Sequence, residues 1–84
     1  MASKTVKVGS KVGLHARPAA LVAEAAGDFD DDIVLIKGDE EVDADSAMMI
    51  MTLGAGFGDE VTVSSDNEEA VNKIAEMIAS DLDG

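Results

Sequence analysis

The sequence predicts an α+β fold in which one four-stranded sheet carries three helices on one face. Two observations lead to this prediction. Four short segments either alternate between apolar and polar residues or are rich in β-branched residues, as strands are. Three other segments consist of strong helix formers or repeat their apolar residues at helical spacing. Because the order is strand, helix, strand, strand, helix, strand, helix, we expect the amphipathic helices to cover one side of a single sheet.

The first strand and the first helix lie in the early part of the chain. Residues 5–8 (Thr-Val-Lys-Val) alternate polar and apolar side chains, which predicts a strand with one buried face. The segment 9–13 begins and ends with glycine and turns the chain. The alanine-rich residues 16–26 then predict the first helix, with Gly27 at its end or just beyond it.

The middle of the chain predicts a β-hairpin followed by a short helix. Residues 33–36 (Ile-Val-Leu-Ile) are apolar and β-branched, as in a central strand, and residues 41–44 provide its partner. The connecting turn lies in residues 37–40, which contain a glycine. Ser46 is a favourable helix cap before the apolar residues 47–51.

The last part of the chain predicts the fourth strand and the third helix. Residues 60–63 alternate again, and either Asp66 or Asn67 caps the final helix. The two chain ends, residues 1–3 and 81–84, are expected to be frayed. The apolar stripe of the last helix is formed by Val71, Ile74, Ile78 and Leu82.

Composition predicts one small, soluble, acidic domain spanning residues 1–84. The chain has 18 acidic and 6 basic residues, and its net charge of −12 argues against binding to nucleic acid or to anionic membranes. Because there is no cysteine, disulfides and thiolate chemistry are excluded. No apolar run is long enough to span a membrane and no leader is visible, so a cytoplasmic protein is expected. The acidic surface suits a salt-rich, halophilic cytoplasm.

The segment Gly13-Leu14-His15-Ala16-Arg17-Pro18-Ala19-Ala20 is the strongest candidate for a functional site. It holds the only histidine, the only arginine and the only proline of the chain. Pro18 suits the first turn of a helix, so His15 falls at or just before the helix cap, where free N–H groups and the positive end of the dipole stabilise an oxyanion. The combination indicates a phosphoryl or anion site, with His15 as nucleophile and Arg17 as a donor of charge-assisted hydrogen bonds. The competing interpretation is structural: His15 merely lies at a helix end, Arg17 extends over apolar surface, and Pro18 starts the helix.

This eight-residue segment resembles the active-site signature of the HPr family, the histidine-containing phosphocarriers of the phosphoenolpyruvate-dependent sugar phosphotransferase system. The resemblance implies an open-faced β-sandwich with a four-stranded antiparallel sheet, in the order βαββαβα. It extends over essentially the whole chain and includes three later segments: Ser46-Ala47-Met48, Thr52-Leu53-Gly54 and Gly58-Asp59-Glu60-Val61-Thr62-Val63.

The resemblance also implies a mechanism and a set of partners. His15 would accept a phosphoryl group on Nδ1 from Enzyme I and pass it to an enzyme IIA component, so that the chain is a monomeric carrier and not an enzyme. The carrier itself would use no metal and no cofactor. Residues matching the docking surface of the family are Ala16, Ala20, Ala47, Met48, Met51, Thr52 and Gly54.

Several positions depart from the family pattern. Glu24, Gly27 and Met49 stand where many relatives carry lysine, which implies that docking depends more on apolar contact or on partners with altered charge. Val12 replaces the small polar residue common at that position. Ser46 matches a regulatory phosphorylation site of some relatives, although its interpretation as a helix cap is favoured.

Two other classes of function are compatible with part of the sequence. Asp45-Ser46-Ala47-Met48 faintly resembles the attachment site of acyl carrier proteins, but those are helical bundles, and the alternating strands argue against them. A phosphorylation-independent adaptor of the same fold is the second alternative. The presence of His15 makes it less attractive.

Overall fold

Four antiparallel strands form one sheet in the order β1–β4–β2–β3 in the computed structural model, which describes residues 1–82. The strands are β1 (Ala2–Lys7), β2 (Ile33–Lys37), β3 (Glu40–Asp43) and β4 (Glu60–Ser65). The helices are α1 (Ala16–Gly27), α2 (Ala47–Thr52) and α3 (Glu68–Ala79). The predicted α+β class and the predicted order of elements are confirmed.

The side chains of the sheet alternate between a buried face and an open face. On β2, Leu35 is fully buried while its neighbour Ile36 is half-buried, and on β4 Val63 is fully buried while Thr62 is half-exposed. On the open face, the hydroxyls of Thr5 and Thr62 form a hydrogen bond of 2.7 Å. Burial of one face only, with α1 and α3 packed on that face, produces the open-faced sandwich that the resemblance implied.

The third helix supplies the largest part of the helical layer over β1 and β4. Its cap is Asn67, whose Oδ1 accepts a hydrogen bond from the Ala70 N–H at 3.2 Å. Val71, Ile74 and Ile78 form the predicted apolar stripe and are almost completely buried. The stripe is therefore confirmed at these three positions.

Two predictions about the chain ends are wrong. Ala2 and Ser3 are not frayed, because β1 begins at Ala2 and pairs these residues with Ser65 and Ser64 of β4. Leu82 lies outside α3, which ends at Ala79 because the next residue has extended backbone angles. The Leu82 N–H donates to the Ser10 Oγ (3.0 Å), so this residue is also held in place. The prediction for residues 83–84 lies outside the described residues.

The other predicted elements differ only at their ends. β3 begins and ends one residue earlier than predicted, β4 continues to Ser65, and Gly27 is the last residue of α1. Gly38 occupies the first position of the two-residue hairpin turn with φ +60°, which fits a type II′ turn. No helix among residues 1–82 combines the length and apolar character that a bilayer span requires.

The Ser46→Ala variant is expected to lose about 1 kcal/mol of unfolding free energy, because Ser46 is the N-cap of α2 and its Oγ accepts from the Met49 N–H at 3.3 Å. Urea unfolding of both proteins measures this difference. Ser3→Ala is the matched control, since Ser3 is exposed on β1 and caps no helix. Equal losses in the two variants would contradict the capping role.

Candidate functional site

His15 is the N-cap residue of α1 and presents an exposed imidazole. Its backbone is extended (φ −95°, ψ −160°), its carbonyl accepts the first helical hydrogen bond from Ala19 N–H at 2.8 Å, and its side chain makes no cap hydrogen bond. The N–H groups of Ala16 and Arg17 precede that first bond, and Pro18 has no N–H. An imidazole therefore stands beside two backbone donors at the positive end of a helix, which is a favourable place for a phosphoryl group.

The guanidinium of Arg17 lies on the same exposed helix end. Neither this side chain nor the imidazole of His15 forms a hydrogen bond or an ion pair with any residue in the described range 1–82. His15 and Arg17 are two positions apart in the chain, and no hydrogen bond or ion pair joins their side chains within residues 1–82. Both remain available to an external oxyanion.

The loop before His15 is held against the loop after α2. Gly13 has φ +76°, and the Leu14 N–H donates to the Ala55 carbonyl at 2.9 Å while the Leu14 side chain is buried. A Cβ at Gly13 would lie 2.6 Å from the Ala55 oxygen and 2.9 Å from the Gly56 Cα. Because both obstacles are backbone atoms, only glycine fits, and the close contact fixes the position of the residue just before the histidine.

The start of the same loop is attached to the end of α3. The Gly9 N–H donates to the Ile78 carbonyl at 2.9 Å, and a Cβ at Gly9 would lie 2.0 Å from the Ala79 oxygen. The buried Ser10 donates from Oγ to the Ser80 carbonyl at 3.3 Å and accepts from the Leu82 N–H. Sequence reasoning missed these positioning residues because their partners lie some 70 positions away and only the tertiary fold brings them together.

The Gly13→Ala variant is expected to lower the free energy of unfolding by about 1–3 kcal/mol from its backbone conformation alone. The contact with Ala55 adds to this loss and displaces the histidine loop. Gly27→Ala is the control, since Gly27 has no non-helical atom near an added Cβ and the change should raise stability by about 0.4–1 kcal/mol. Thermal unfolding checks both. Equal effects would contradict the tight contact at Gly13.

A shallow cleft of about 210 Å³ connects the histidine with the end of α2. Gly54 follows the C-cap with φ +64° and its N–H donates to the Met51 carbonyl at 3.2 Å, which ends the helix beside the cleft. The cleft is lined by Val12, Leu14, His15, Met51, Gly54, Ala55 and Gly56. Two of the predicted docking residues thus lie around the same depression as the predicted nucleophile.

The predicted docking residues lie on the first part of α1 and on α2, together with Gly54, which follows α2. On α2, Met48 is 73% exposed while Ile50 is fully buried, so this apolar helix contributes both to the core and to the surface. Ala16, Ala20, Thr52 and Gly54 are exposed, and Ala47 and Met51 are half-buried. The other large apolar residues that are exposed are Met1, Val12, Leu21, Met49 and Phe57.

Comparison with known proteins places the chain in a family. A family model described as the PTS HPr component phosphorylation site matches residues 2–80. The chain belongs to the HPr family. The phosphocarrier protein HPr of Treponema pallidum is 41% identical over 71 residues, which cover 84% of this chain and 81% of that protein. HPr proteins are phosphocarriers of the phosphotransferase system, and this membership excludes the acyl-carrier alternative.

Solved structures of HPr proteins have the same fold. The crystal structure of HPr from Bacillus anthracis has a TM-score of 0.87 and 39% identity, and the match covers 92% of this chain and 95% of that one. The HPr-like protein Crh of Bacillus subtilis has a TM-score of 0.72 and 40% identity, with 93% of each chain covered, and its crystal is described as a domain-swapped dimer.

Proposed function

We propose that this HPr-family chain accepts a phosphoryl group on His15 Nδ1 from Enzyme I and passes it to an enzyme IIA component of a sugar-uptake complex. The observation that carries the proposal is the exposed, unbonded imidazole at the cap of α1, beside the backbone N–H groups of Ala16 and Arg17. A nucleophile and a set of oxyanion donors thus occupy one surface that a partner protein can reach.

The proposed step exchanges one N–P bond for another. The lone pair on Nδ1 of His15, with the ring proton on Nε2, attacks phosphorus, and the N–P bond of the donor's phosphohistidine breaks with its electron pair returning to the donor ring nitrogen. The Nε2 proton of His15 is released and the donor ring takes up one proton, so charge and protons balance. During the transfer, negative charge is spread over the three phosphoryl oxygens. The free N–H groups of Ala16 and Arg17 and the guanidinium of Arg17 would stabilise that charge.

Histidine suits a carrier because the bound group must be released again. An N–P bond retains a high transfer potential, whereas a serine ester would trap the group. The donors around His15 are backbone groups and one exposed arginine, so they can stabilise the phosphoryl group without enclosing it. We therefore expect a reversible carrier that needs no metal and no cofactor of its own.

The docking residues predicted from the resemblance support the same proposal. Their exposed members lie on α1, on α2 and just after α2, where Gly54 lines the cleft that contains His15. They are mostly small or methionine side chains, and methionine adapts to partners of different shape. One surface can then serve donor and acceptor in turn. We propose that the chain acts as a monomer, and sedimentation tests this.

Ser46 remains a candidate for regulatory phosphorylation. The residue is half-buried and its Oγ accepts the cap hydrogen bond of α2, and Asp43 and Asp45 lie beside it in the chain. A phosphate at a helix N-terminus is favoured by the dipole but repelled by neighbouring carboxylates. Incubation with a serine kinase of this system followed by mass analysis tests the site.

The proposed function is tested by incubating the chain with Enzyme I and phosphoenolpyruvate. Intact mass analysis should show one added phosphoryl group, and the modification should be labile in acid and stable in base, as phosphohistidine is and phosphoserine is not. Transfer to an enzyme IIA component should then restore the original mass. Binding of these partners without any mass change would instead favour the phosphorylation-independent adaptor.

A further inference from the structure

The apolar surface around His15 continues along α1 into a groove between α1 and α3. This groove has a volume of about 450 Å³. Leu21 connects the two areas, because it is exposed one helical turn beyond Arg17 and also lines the groove. The apolar lining consists of Leu21, Ala25, Met77 and Leu82, and the polar lining consists of Glu24, Asp28, Lys73, Glu76 and Ser80.

The groove has an acidic rim. Three carboxylates, those of Glu24, Asp28 and Glu76, line it together with the single ammonium group of Lys73. All four residues are exposed, and no ion pair joins them to each other or to another residue within the described range 1–82. Unpaired like charges around an apolar floor attract a partner surface of opposite sign.

We propose that this groove is a second contact area for the phosphoryl donor and receives an apolar side chain flanked by lysine or arginine on the donor's surface. The inference rests on the proposed function, since the donor is the protein that must reach His15. It adds the chemistry of the partner: an apolar centre with basic surroundings, opposed to Glu24, Asp28 and Glu76.

The spacing along α1 supports a continuous interface. Arg17, Leu21, Glu24 and Asp28 follow one another at intervals of three or four residues and therefore lie on one exposed face of the helix. At about 1.5 Å of rise per residue, Glu24 lies roughly 14 Å along the helix from His15. An interface of ordinary size, about 800 Å² per partner, has a radius of roughly 16 Å. A donor centred on the histidine therefore reaches Glu24, the end of the rim nearest to His15.

A second copy of this chain fits the groove less well. Each copy has a net charge of −12, so self-association would oppose carboxylates to carboxylates. A basic donor surface removes that repulsion. The charge of the rim thus favours the donor over a homodimer.

The test is a double charge reversal, Glu24→Lys with Asp28→Lys. Both residues lie near the carboxyl end of α1, where positive charge is favourable to a helix, so weaker docking would not result from unfolding. The KM for this chain in its phosphorylation by Enzyme I is expected to rise roughly threefold to thirtyfold, since attraction becomes repulsion at two exposed sites. The value of kcat should change little, because neither residue touches His15.

The matched control is Glu41→Lys with Glu60→Lys. These two exposed residues lie on the open face of the sheet, opposite the helices, because Val42 and Val61 beside them are buried. The net charge changes by the same amount, so a general electrostatic effect would raise the KM equally in both double variants. Such equality would overturn the assignment of the groove.

A direct contact is tested by titrating the ¹⁵N-labelled chain with unphosphorylated Enzyme I. The amide signals of Lys73 and Met77 on α3 should shift or broaden along with those around His15, whereas long-range attraction alone would leave them unchanged.

Unchanged KM and unchanged α3 signals, with normal phosphorylation of the wild type, would refute the groove proposal only. Absence of phosphorylation in the wild type would instead refute the proposed function. A wild-type dimer that the charge reversal dissociates would assign the groove to a second copy and overturn the inference.

Discussion

Replacing His15 with alanine is expected to abolish phosphoryl uptake from Enzyme I while leaving the fold intact. His15 is the only histidine in the sequence, so no other residue can form a phosphohistidine. Serine and threonine would form phosphate esters, which lack the labile N–P bond. The structural cost is small, because the side chain is exposed and makes no cap hydrogen bond. We expect the free energy of unfolding to change by less than about 0.5 kcal/mol, as for most surface substitutions.

The control for this experiment is His15→Asn. Asparagine is a better N-cap than alanine and can restore or raise helix stability, but it provides no nucleophilic ring nitrogen. Both variants should therefore stay unmodified when they are incubated with Enzyme I and phosphoenolpyruvate, although their thermal transitions remain close to that of the wild type. Acid-labile labelling of either variant at the wild-type level would refute His15 as the acceptor.

The local sequence was sufficient to predict most of the elements because each segment carries its own signal. The alanine-rich run of α1, the alternation in β4 and the cap at Ser46 all depend on residues close together in the chain. The start of β1 was missed for the opposite reason. Ala2 and Ser3 have no strong strand preference, and they are ordered by pairing with Ser65 and Ser64, far away in sequence.

The same distinction applies to the candidate site. His15 and Arg17 stand out in the sequence as the only residues of their kinds, so they could be predicted. The support of their loop by Gly9 and Ser10 could not, because a glycine and a serine are common in any turn. Their importance results from contacts with the end of α3 that only the folded chain creates.

The groove between α1 and α3 was also beyond sequence reasoning. The patterns of the two helices indicate which residues face the core, but they do not show that Leu21 and Met77 line one depression. Its acidic rim combines residues from helices that are distant in the chain. The net charge of −12 predicts an acidic surface, but it does not show where on that surface an apolar area lies.

Replacing Arg17 with lysine is expected to slow phosphoryl transfer roughly tenfold to hundredfold. Lysine keeps the positive charge but loses the planar fork that can pair with two phosphoryl oxygens at once. A hydrogen bond to a charged group contributes about 1.5–3 kcal/mol, and about 1.4 kcal/mol corresponds to a factor of ten in rate. The free energy of unfolding should stay nearly constant, because the guanidinium is exposed and has no hydrogen bond or ion pair within residues 1–82.

Rapid-quench measurement of transfer from phosphorylated Enzyme I, beside thermal unfolding, separates the roles of Arg17. The matched control is Lys11→Arg, which exchanges the same two residue types at an exposed position before the site and should leave the rate unchanged. If Arg17→Lys transfers at the wild-type rate, the guanidinium is a surface group with no part in the reaction. If it lowers the unfolding temperature instead, the arginine belongs to the structure of the helix end. A slow rate with an unchanged transition would show that the fork acts on the phosphoryl group itself, because charge, helix and fold are the same in both proteins.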